Sequence, residues 1–594
     1  MSDWEAFEAA TTVAVDTETS GLFPDDGARV ACVAVAWRGG SIALPFDQGV
    51  LDKNGIKQLA IGERTVDWNL NHEHWERFIY ALTKKQLVFH NALFDLIMLW
   101  TGTRHWSGID LSSQLAWDTM LAHRVLRPTS SAGLDAAAQE LGVGEKTGLE
   151  PVLAWLKENK LPKNRYDLAP WELIEPYVRA DAETTRRLYE AQLEEVKDKG
   201  GLLEIQRECD LAVTLMRMEK RGLGYDARRS LKAAKELEEK AATIEATLPF
   251  PCTPFGARDY FIERGLTPDR VTEKGAPSID AEQIRDWEIA GVPYAKEYRE
   301  ASRAKRAASM WYRGFVEKLG DDGRLRCRFK QSHVVSGRLS VERVNLQALP
   351  KADKIEDGMP PVRELLKTSK GTQLWSLDMS QAELRVAARY SGCERMLELL
   401  AEGMDFHAKT TEDVMGVAPD HPEWKLKRDI GKKLTFGSIY GIGGEHFQAL
   451  LAKETGIHIT SDESYRLVNG WRNTYPEIMQ AYNLALRKLR ECGYVRILPG
   501  TELETRSYFQ GHELEHSAWN RVVQGSVAAF VRLWLVEIEH EHPDVLVGSV
   551  HDSVLLELPS KTAKKTAKEI AAKASERASV LFGVQMPVDE DRWK

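Results

Sequence analysis

At 594 residues the chain is too long for one hydrophobic core, and several domains are expected. Apolar residues make up 43% and charged residues 28%, the composition of an ordinary soluble globular protein. The balance of 80 Lys and Arg against 89 Asp and Glu, a net charge of −9, does not by itself point to a nucleic-acid partner. No apolar run approaches the roughly 18 residues that a membrane span needs, so no membrane association is expected. The opening MSDWEAFEAA is acidic and lacks the basic region and apolar core of a signal peptide. Cys32, Cys209, Cys252, Cys327, Cys393 and Cys492 lie far apart with no CxxC pair. That argues against zinc and disulfides and fits a reducing, cytoplasmic compartment.

In chain order, TTVAVDTETSGL reads as a strand, RVACVAVAW as a second, and LVFHNALFDLIML near residue 90 as another apolar run. Helical patterns then continue to about residue 195, so the first segment is expected to be an α/β domain. KDKGG at 197–201 punctuates the chain before a helical pattern that ends at Gly222. Charged helical sequence, a Pro- and Gly-rich zone near 249–277 and further helix to about residue 318 follow. From Arg299 to Lys351 there are 13 Lys and Arg against 5 Asp and Glu, a local balance of +8. Such a block is either a solvated face or a track for a phosphate backbone. The remainder mixes short strands (LWSLDMS, VLVGSVHDSVLLEL) with helices, an α+β arrangement interrupted by a helical insertion.

KRDIGKKLTFGSIYG, from Lys427 to Gly441, is the densest chemical signal. Arg428, Lys432, Phe436 and Tyr440 stand four apart and share one slowly drifting helix face. Two cations suit a polyphosphate and two rings suit a base or sugar. The structural alternative is a basic solvated edge with two core aromatics.

Asp16 and Glu18 alternate along an apolar strand, so both side chains leave one face. Burying two like charges together is unfavourable unless a cation compensates. Asn91 and Asp95 in HNALFDLIML, and Tyr177 and Asp181 in YVRAD, are each four apart on a helix face. Carboxylates with few cations nearby suit ligation of a hard ion, Mg2+ or Mn2+. In this order DTETSGL, NxxxD and YxxxD resemble the DEDD-type 3′–5′ exonucleases with tyrosine in the last motif, over about residues 1–195. The resemblance implies a ribonuclease H-like fold and two-metal hydrolysis of a terminal phosphodiester. Asp16, Glu18, Asp95 and Asp181 would hold the metals and Tyr177 would orient the attacking water. Asp118, in WDTMLAHRVL, lies outside the three motifs and is read as structural.

LWSLDMSQAELRVAA places Asp378 at the end of a strand-like run, and VLVGSVHDSVLLEL places Asp552 between two apolar runs. A turn-forming Asp is the ordinary alternative. Together with the Lys427–Gly441 stretch, these segments resemble motifs A, B and C of the family A DNA polymerases, the family of bacterial DNA polymerase I. MEKRG at 218–222, SGRLS at 336–340, NLQ at 345–347 and NRVVQG at 520–525 extend the resemblance over nearly the whole chain. It implies a multidomain α/β plus α+β protein, with an exonuclease domain at 1–195 followed by a right-hand polymerase. The thumb is expected at 196–310, the palm at 311–390 and 510–594, and the fingers at 391–509.

The implied activity is template-directed DNA synthesis from dNTPs with 3′–5′ proofreading, using two Mg2+ (or Mn2+) ions per active site. Asp378 and Asp552 would hold the catalytic metals. Arg428 and Lys432 would bind the triphosphate, with Lys432 also supplying a proton to pyrophosphate. Phe436 would pack near the sugar and Tyr440 near the templating base, and Glu383 would be the gate against a ribose 2′ hydroxyl. Gln381 and His407 fall at positions near the nucleotide. Arg338, Asn345, Gln347, Asn520, Gln524 and His551 fall at DNA contacts, and the basic run gains a use beside the duplex minor groove.

Two positions depart from the family pattern. Ser553 stands third in motif C, where many members carry glutamate, and His516 stands where relatives often carry arginine. The chain starts almost at its first exonuclease motif, so no preceding 5′-nuclease domain is expected. That compact layout resembles phage-type replicative enzymes, with the host cytoplasm as location for a phage-encoded protein. The expected partners are primer–template DNA and dNTPs, and a monomer is expected. No insertion in 200–310 announces a processivity-factor site, so replisome partners are not identified. A single-subunit RNA polymerase shares the motif plan, but Glu383 and a proofreading domain argue against it. A catalytically dead DNA-binding scaffold is opposed by retention of both metal-binding sets.

Overall fold

The computed structural model describes residues 3–46, 49–52, 55–58, 72–103, 105–144, 147–268, 271, 275, 277–331, 334, 336–349, 361–509, 517–550 and 552–593. The chain divides into two units. One comprises Met1–Gly222, Phe329–Val334 and Val531–Val547; the other comprises Leu223–Arg328, Val335–Phe530 and Gly548–Lys594. The fold is of the mixed α/β and α+β class expected.

The first unit is built on a five-stranded sheet in the order Gly40–Pro45, Val30–Trp37, Thr12–Thr19, Gln86–Phe89, Leu115–Asp118. The first three strands pair antiparallel, and the last two continue in parallel from Thr12–Thr19. Val30–Trp37 is buried at every position, which explains its unbroken apolar run in place of an alternating one. Cys32, Ala34 and Ala36 from this strand pack against Ile174, Val178 and Ala182 of the helix Trp171–Lys199. Those three helical residues recur every four positions, one apolar stripe of an amphipathic helix. A second cluster joins Ala14, Val88 and Trp117 to Val196, Ile205 and Cys209. Gly200 and Gly201, both at positive φ, separate Trp171–Lys199 from the next helix, Leu202–Arg221.

The second unit contains three neighbouring strands of a sheet in the order Ser553–Pro559, Thr372–Met379, Val588–Arg592. Thr372–Met379 pairs antiparallel on both sides, with Asp378 opposite Ser553 on one flank and opposite Asp589 on the other. The helix Ala563–Phe582 covers this sheet with Ala567, Ile570, Ala571, Ala574 and Ala578. One helical group, including Phe406–Met415, Trp424–Ile439, Gly444–Thr455 and Ser461–Thr474, buries Phe406, Phe447, Trp471 and Tyr475 completely. Another, including Pro254–Glu263, Ala281–Ile289 and Ala295–Ala307, has a core of its own around Phe250, Phe261, Trp287 and Tyr298.

Three local features differ from the sequence expectation. The Pro- and Gly-rich zone contains the helix Pro254–Glu263, because Pro254 occupies its first turn and Thr253 Oγ1 accepts from the Gly256 N–H at 3.1 Å. A proline there starts a helix instead of breaking one. The helix expected to run to about residue 318 changes to π winding at Ala308–Arg313. Tyr440 lies just past the helix Trp424–Ile439, at φ −96° and ψ 15°, so its ring leaves from the C-cap. Gly441 follows at φ +80°, and a Cβ there would stand 2.8 Å from the Tyr482 ring, so only glycine fits this exit.

Candidate active sites

In the first unit, strand alternation sends Asp16 and Glu18 out together, and the helix Trp171–Lys199 delivers Asp181, 3% exposed, to the same place. Carboxylate oxygens of the three lie within 4.8 Å of one another. Three acids at that spacing form an all-oxygen donor set of the kind that holds a hard divalent cation. Tyr177 sits one helical turn before Asp181. Burial, then the carboxylates of Glu18, Asp181 and Asp16, push its phenol far above the ordinary tyrosine range. It therefore keeps its proton. Gly148 backs onto it, with the Tyr177 Cα 3.0 Å from where a Cβ would be.

Asp95 falls outside the group of three whose oxygens lie within 4.8 Å of one another. From the helix Ala92–Thr101 its Oδ1 accepts from Thr17 Oγ1 at 2.6 Å and from the Thr17 N–H at 3.1 Å. Thr17 lies between Asp16 and Glu18 in sequence, and alternation points its side chain to the other side of the strand. Burial pushes the Asp95 carboxyl up to about 7, against the two Thr17 bonds. Asn91, expected to share a helix face with Asp95, precedes the helix in the left-handed region at φ 78°. Asp118 has a structural role. It is 1% exposed and accepts from the backbone N–H groups of Asn91, Ala92, Met120 and Leu121, at 3.2, 2.7, 2.9 and 3.1 Å. One carboxylate thus caps the starts of both Ala92–Thr101 and Thr119–Leu126.

In the second unit a line of contacts runs through the candidate residues. Ser553 Oγ donates to Asp378 Oδ1 at 2.7 Å. The neighbouring Asp552 accepts from Arg338 Nη2 at 3.2 and 3.1 Å, and the same nitrogen donates to Glu383 Oε1 at 2.5 Å. Glu383 Oε2 accepts from Tyr440 Oη and, at 3.5 Å, from Gln524 Nε2. Burial opposes the charge on Arg338, but the carboxylates of Asp552 and Glu383 outweigh it and hold the guanidinium above its ordinary pKa. Burial and then Glu383 push the Tyr440 phenol well above its ordinary range. Gln381 sits at the start of Ala382–Ser391 in the left-handed region, at φ 52°.

Along Trp424–Ile439, Lys432 and Phe436 open onto a cleft of about 1720 Å³ that Arg303, Arg306, Met310 and Trp311 also line. Arg428 donates to Asp405 Oδ2 through Nε at 2.8 Å and Nη2 at 2.5 Å. Asp405 also caps Phe406–Met415 through the N–H groups of His407 and Ala408. The His407 ring lies 5.4 Å from that of Phe436. Burial, then the Lys432 cation, lower its pKa to about 4, so it is neutral near pH 7.

Asn345 and Gln347, expected at DNA contacts, organise a turn. Asn345 Oδ1 accepts from the Gln347 and Ala348 N–H groups, and Gln347 Nε2 donates to the Leu339 carbonyl at 3.1 Å. Asn520 lies two residues into the helix Ala518–Glu541. His551, His516 and Lys351 lie outside the described residues. Sequence reasoning missed Thr17, Asp405 and the hydroxyl role of Ser553. Asp405 carried a signal, an Asp directly before FHAKT that reads as an N-cap, but nothing local tied it to Arg428.

No helix among the described residues is long and apolar enough to cross a membrane. A 3′–5′ exonuclease family model matches residues 4–197. The thermostable DNA polymerase I of Thermus thermophilus is 28% identical over 429 residues, 68% of this chain and 49% of its own length. The DNA polymerase I of Bacillus subtilis is 25% identical over 481 residues, 77% of this chain and 52% of its own length. The chain thus spans about half the length of the curated relatives it matches. Among solved structures, the POL domain of Pol1 from M. smegmatis, in complex with DNA primer-template and dNTP, aligns with a TM-score of 0.74 and 18% identity. That alignment covers 99% of this chain and 96% of the other, a likeness of fold. The model of DNA polymerase family A matches residues 235–592, more than half of the sequence, and the chain belongs to that family.

Proposed function

We propose that this chain copies a primed DNA template from dNTPs in its second unit and removes 3′-terminal nucleotides in its first. The carrying observation is the line of contacts from Asp378 and Ser553 through Asp552, Arg338 and Glu383 to Tyr440. It joins the acids at the strand ends to the end of the helix that presents Lys432 and Phe436. Asp378 and Asp552 would hold two divalent cations, and Asp16, Glu18, Asp181 and Asp95 two more; Mg2+ suits these oxygen donors, with Mn2+ as alternative. When bound, such ions lower the pKa of a water or 3′ hydroxyl and neutralise phosphate charge.

The protein groups divide the remaining work. Arg428 and Lys432 bind the triphosphate, and Lys432 Nζ offers a proton to the departing pyrophosphate. Phe436 packs on the sugar and Tyr440 stands by the templating base, with Gln381 and His407 beside the nucleotide. Glu383, held by Arg338, Tyr440 and Gln524, is a fixed wall against a 2′ hydroxyl. Arg338, Asn345, Gln347, Asn520, Gln524 and His551 contact the primer–template. In the other site the protonated Tyr177 donates to the attacking water and orients it. The exonuclease domain is assigned to 1–195, the thumb to 196–310, the palm to 311–390 and 510–594, and the fingers to 391–509. Five buried free cysteines suit a reducing cytoplasm, where the chain acts as a monomer.

Extension of a labelled primer with dNTPs or rNTPs tests the reading. Extension with dNTPs alone is expected. Asp552→Ala should abolish it and spare 3′ degradation, and Asp16→Ala should do the reverse. Equal loss of both activities in either variant would overturn the two-site assignment.

A further inference from the structure

We infer that Ser553 is a positioning residue for Asp378, supplying by hydrogen bonding the orientation that a third carboxylate would otherwise disturb. The inference rests on the reading above, in which Asp378 holds a divalent cation. Asp378 and Ser553 are direct partners across the antiparallel pair of Thr372–Met379 and Ser553–Pro559. Side chains so placed leave the same face with Cβ atoms about 5 Å apart. A serine hydroxyl spans that gap, and Ser553 Oγ lies 2.7 Å from Asp378 Oδ1. Occupying Oδ1 restrains the rotation of an exposed carboxylate and leaves Oδ2 outside that bond.

The other flank of the same row explains why a neutral donor stands at 553. Asp589 is the partner of Asp378 on Val588–Arg592, so cross-strand neighbours read Ser553, Asp378, Asp589. A glutamate at 553 would set three acids abreast, and like charges directly opposite destabilise a pair. Asp552, one residue away, would add a fourth. The charge that many family members place at 553 is therefore offset in this chain by Asp589 on the opposite flank, and the serine contributes geometry instead of charge.

The test uses the full chain carrying Asp16→Ala and Glu18→Ala, which removes two of the exonuclease acids. Mn2+ bound in the presence of primer–template is read from the loss of the free-ion EPR signal, beside single-nucleotide incorporation. Ser553→Ala is expected to raise the Mn2+ concentration at half-occupancy by about tenfold, the usual scale for losing a group that orients a metal ligand. Ser553→Thr and Ser553→Val, equal in shape and both suited to a strand, differ only in the hydroxyl. Threonine should bind Mn2+ like the parent and valine like the alanine variant. Equal Mn2+ binding by the threonine and valine variants overturns the inference. Asp378→Asn separates that failure from the underlying reading, because persisting incorporation in that variant removes Asp378 from the metal site altogether.

Discussion

Tyr440 donates its phenolic proton to Glu383 Oε2 while Arg338 holds the other oxygen of the same carboxylate at 2.5 Å. The carboxylate cannot turn aside without breaking charge-assisted bonds on both oxygens. Glu383→Ala removes the wall and its charge together, and ribonucleotide incorporation relative to deoxynucleotide should rise by about two orders of magnitude, roughly 3 kcal/mol of discrimination. Tyr440→Phe keeps the ring but leaves Glu383 Oε2 only the 3.5 Å bond from Gln524, so its effect should be smaller. Steady-state incorporation of matched dNTP and rNTP pairs measures both.

Phe436 lines the cleft with its ring 5.4 Å from that of His407. Tyrosine at this position in the family favours dideoxynucleotides, so Phe436→Tyr should narrow the discrimination against them. Competition between ddNTP and dNTP in primer extension reads the ratio. An unchanged ratio would mean that the ring does not face the sugar.

Asp118 accepts four backbone N–H groups at two helix starts while 1% exposed. Asp118→Ala should cost about 3 kcal/mol, from lost caps and buried donors left without an acceptor. Because one of those helices carries Asp95, 3′ degradation should fall as well. Urea denaturation followed by tryptophan fluorescence gives the stability, and Asp118→Asn should recover part of it.

Glu204, on Leu202–Arg221, is pushed up to about 7 by burial and then by the Glu208 carboxylate, against Arg532 and Arg207. An acid whose pKa is raised by folding opposes folding most above that raised value, and the opposition vanishes as pH falls towards the unfolded value of about 4.5. Glu204→Gln should therefore stabilise the first unit by about 2 kcal/mol at pH 8, after allowance for partial exposure, and change little at pH 4. Thermal melts of parent and variant at the two pH values check the sign. Equal shifts at both would place the effect outside ionisation.

What could be read beforehand followed the range of the physics involved. Asp16 and Glu18 share a face because strand alternation is local, and the end of the helix at Arg221 followed from Gly222. Asp181 joins them only because a helix crosses the sheet, which spacing does not encode. The family motifs identified it. Thr17 was invisible for the opposite reason: its alternation points it away from the acids, so its grip on Asp95 depends on a residue 78 positions later. The helix Pro254–Glu263 was not picked out within the Pro- and Gly-rich zone, because composition alone does not say that Pro254 stands in a first turn, where proline starts a helix.

Arg428 meets any ligand already engaged with Asp405, whose carboxylate is also bound by two backbone N–H groups. The guanidinium keeps further N–H donors beside the two that Asp405 occupies. The helix cap on Phe406–Met415 is separate from this pair, since its donors are the His407 and Ala408 N–H groups. The pair thereby sets the guanidinium in place before any ligand arrives, so losing Asp405 would loosen both the arginine and the start of Phe406–Met415.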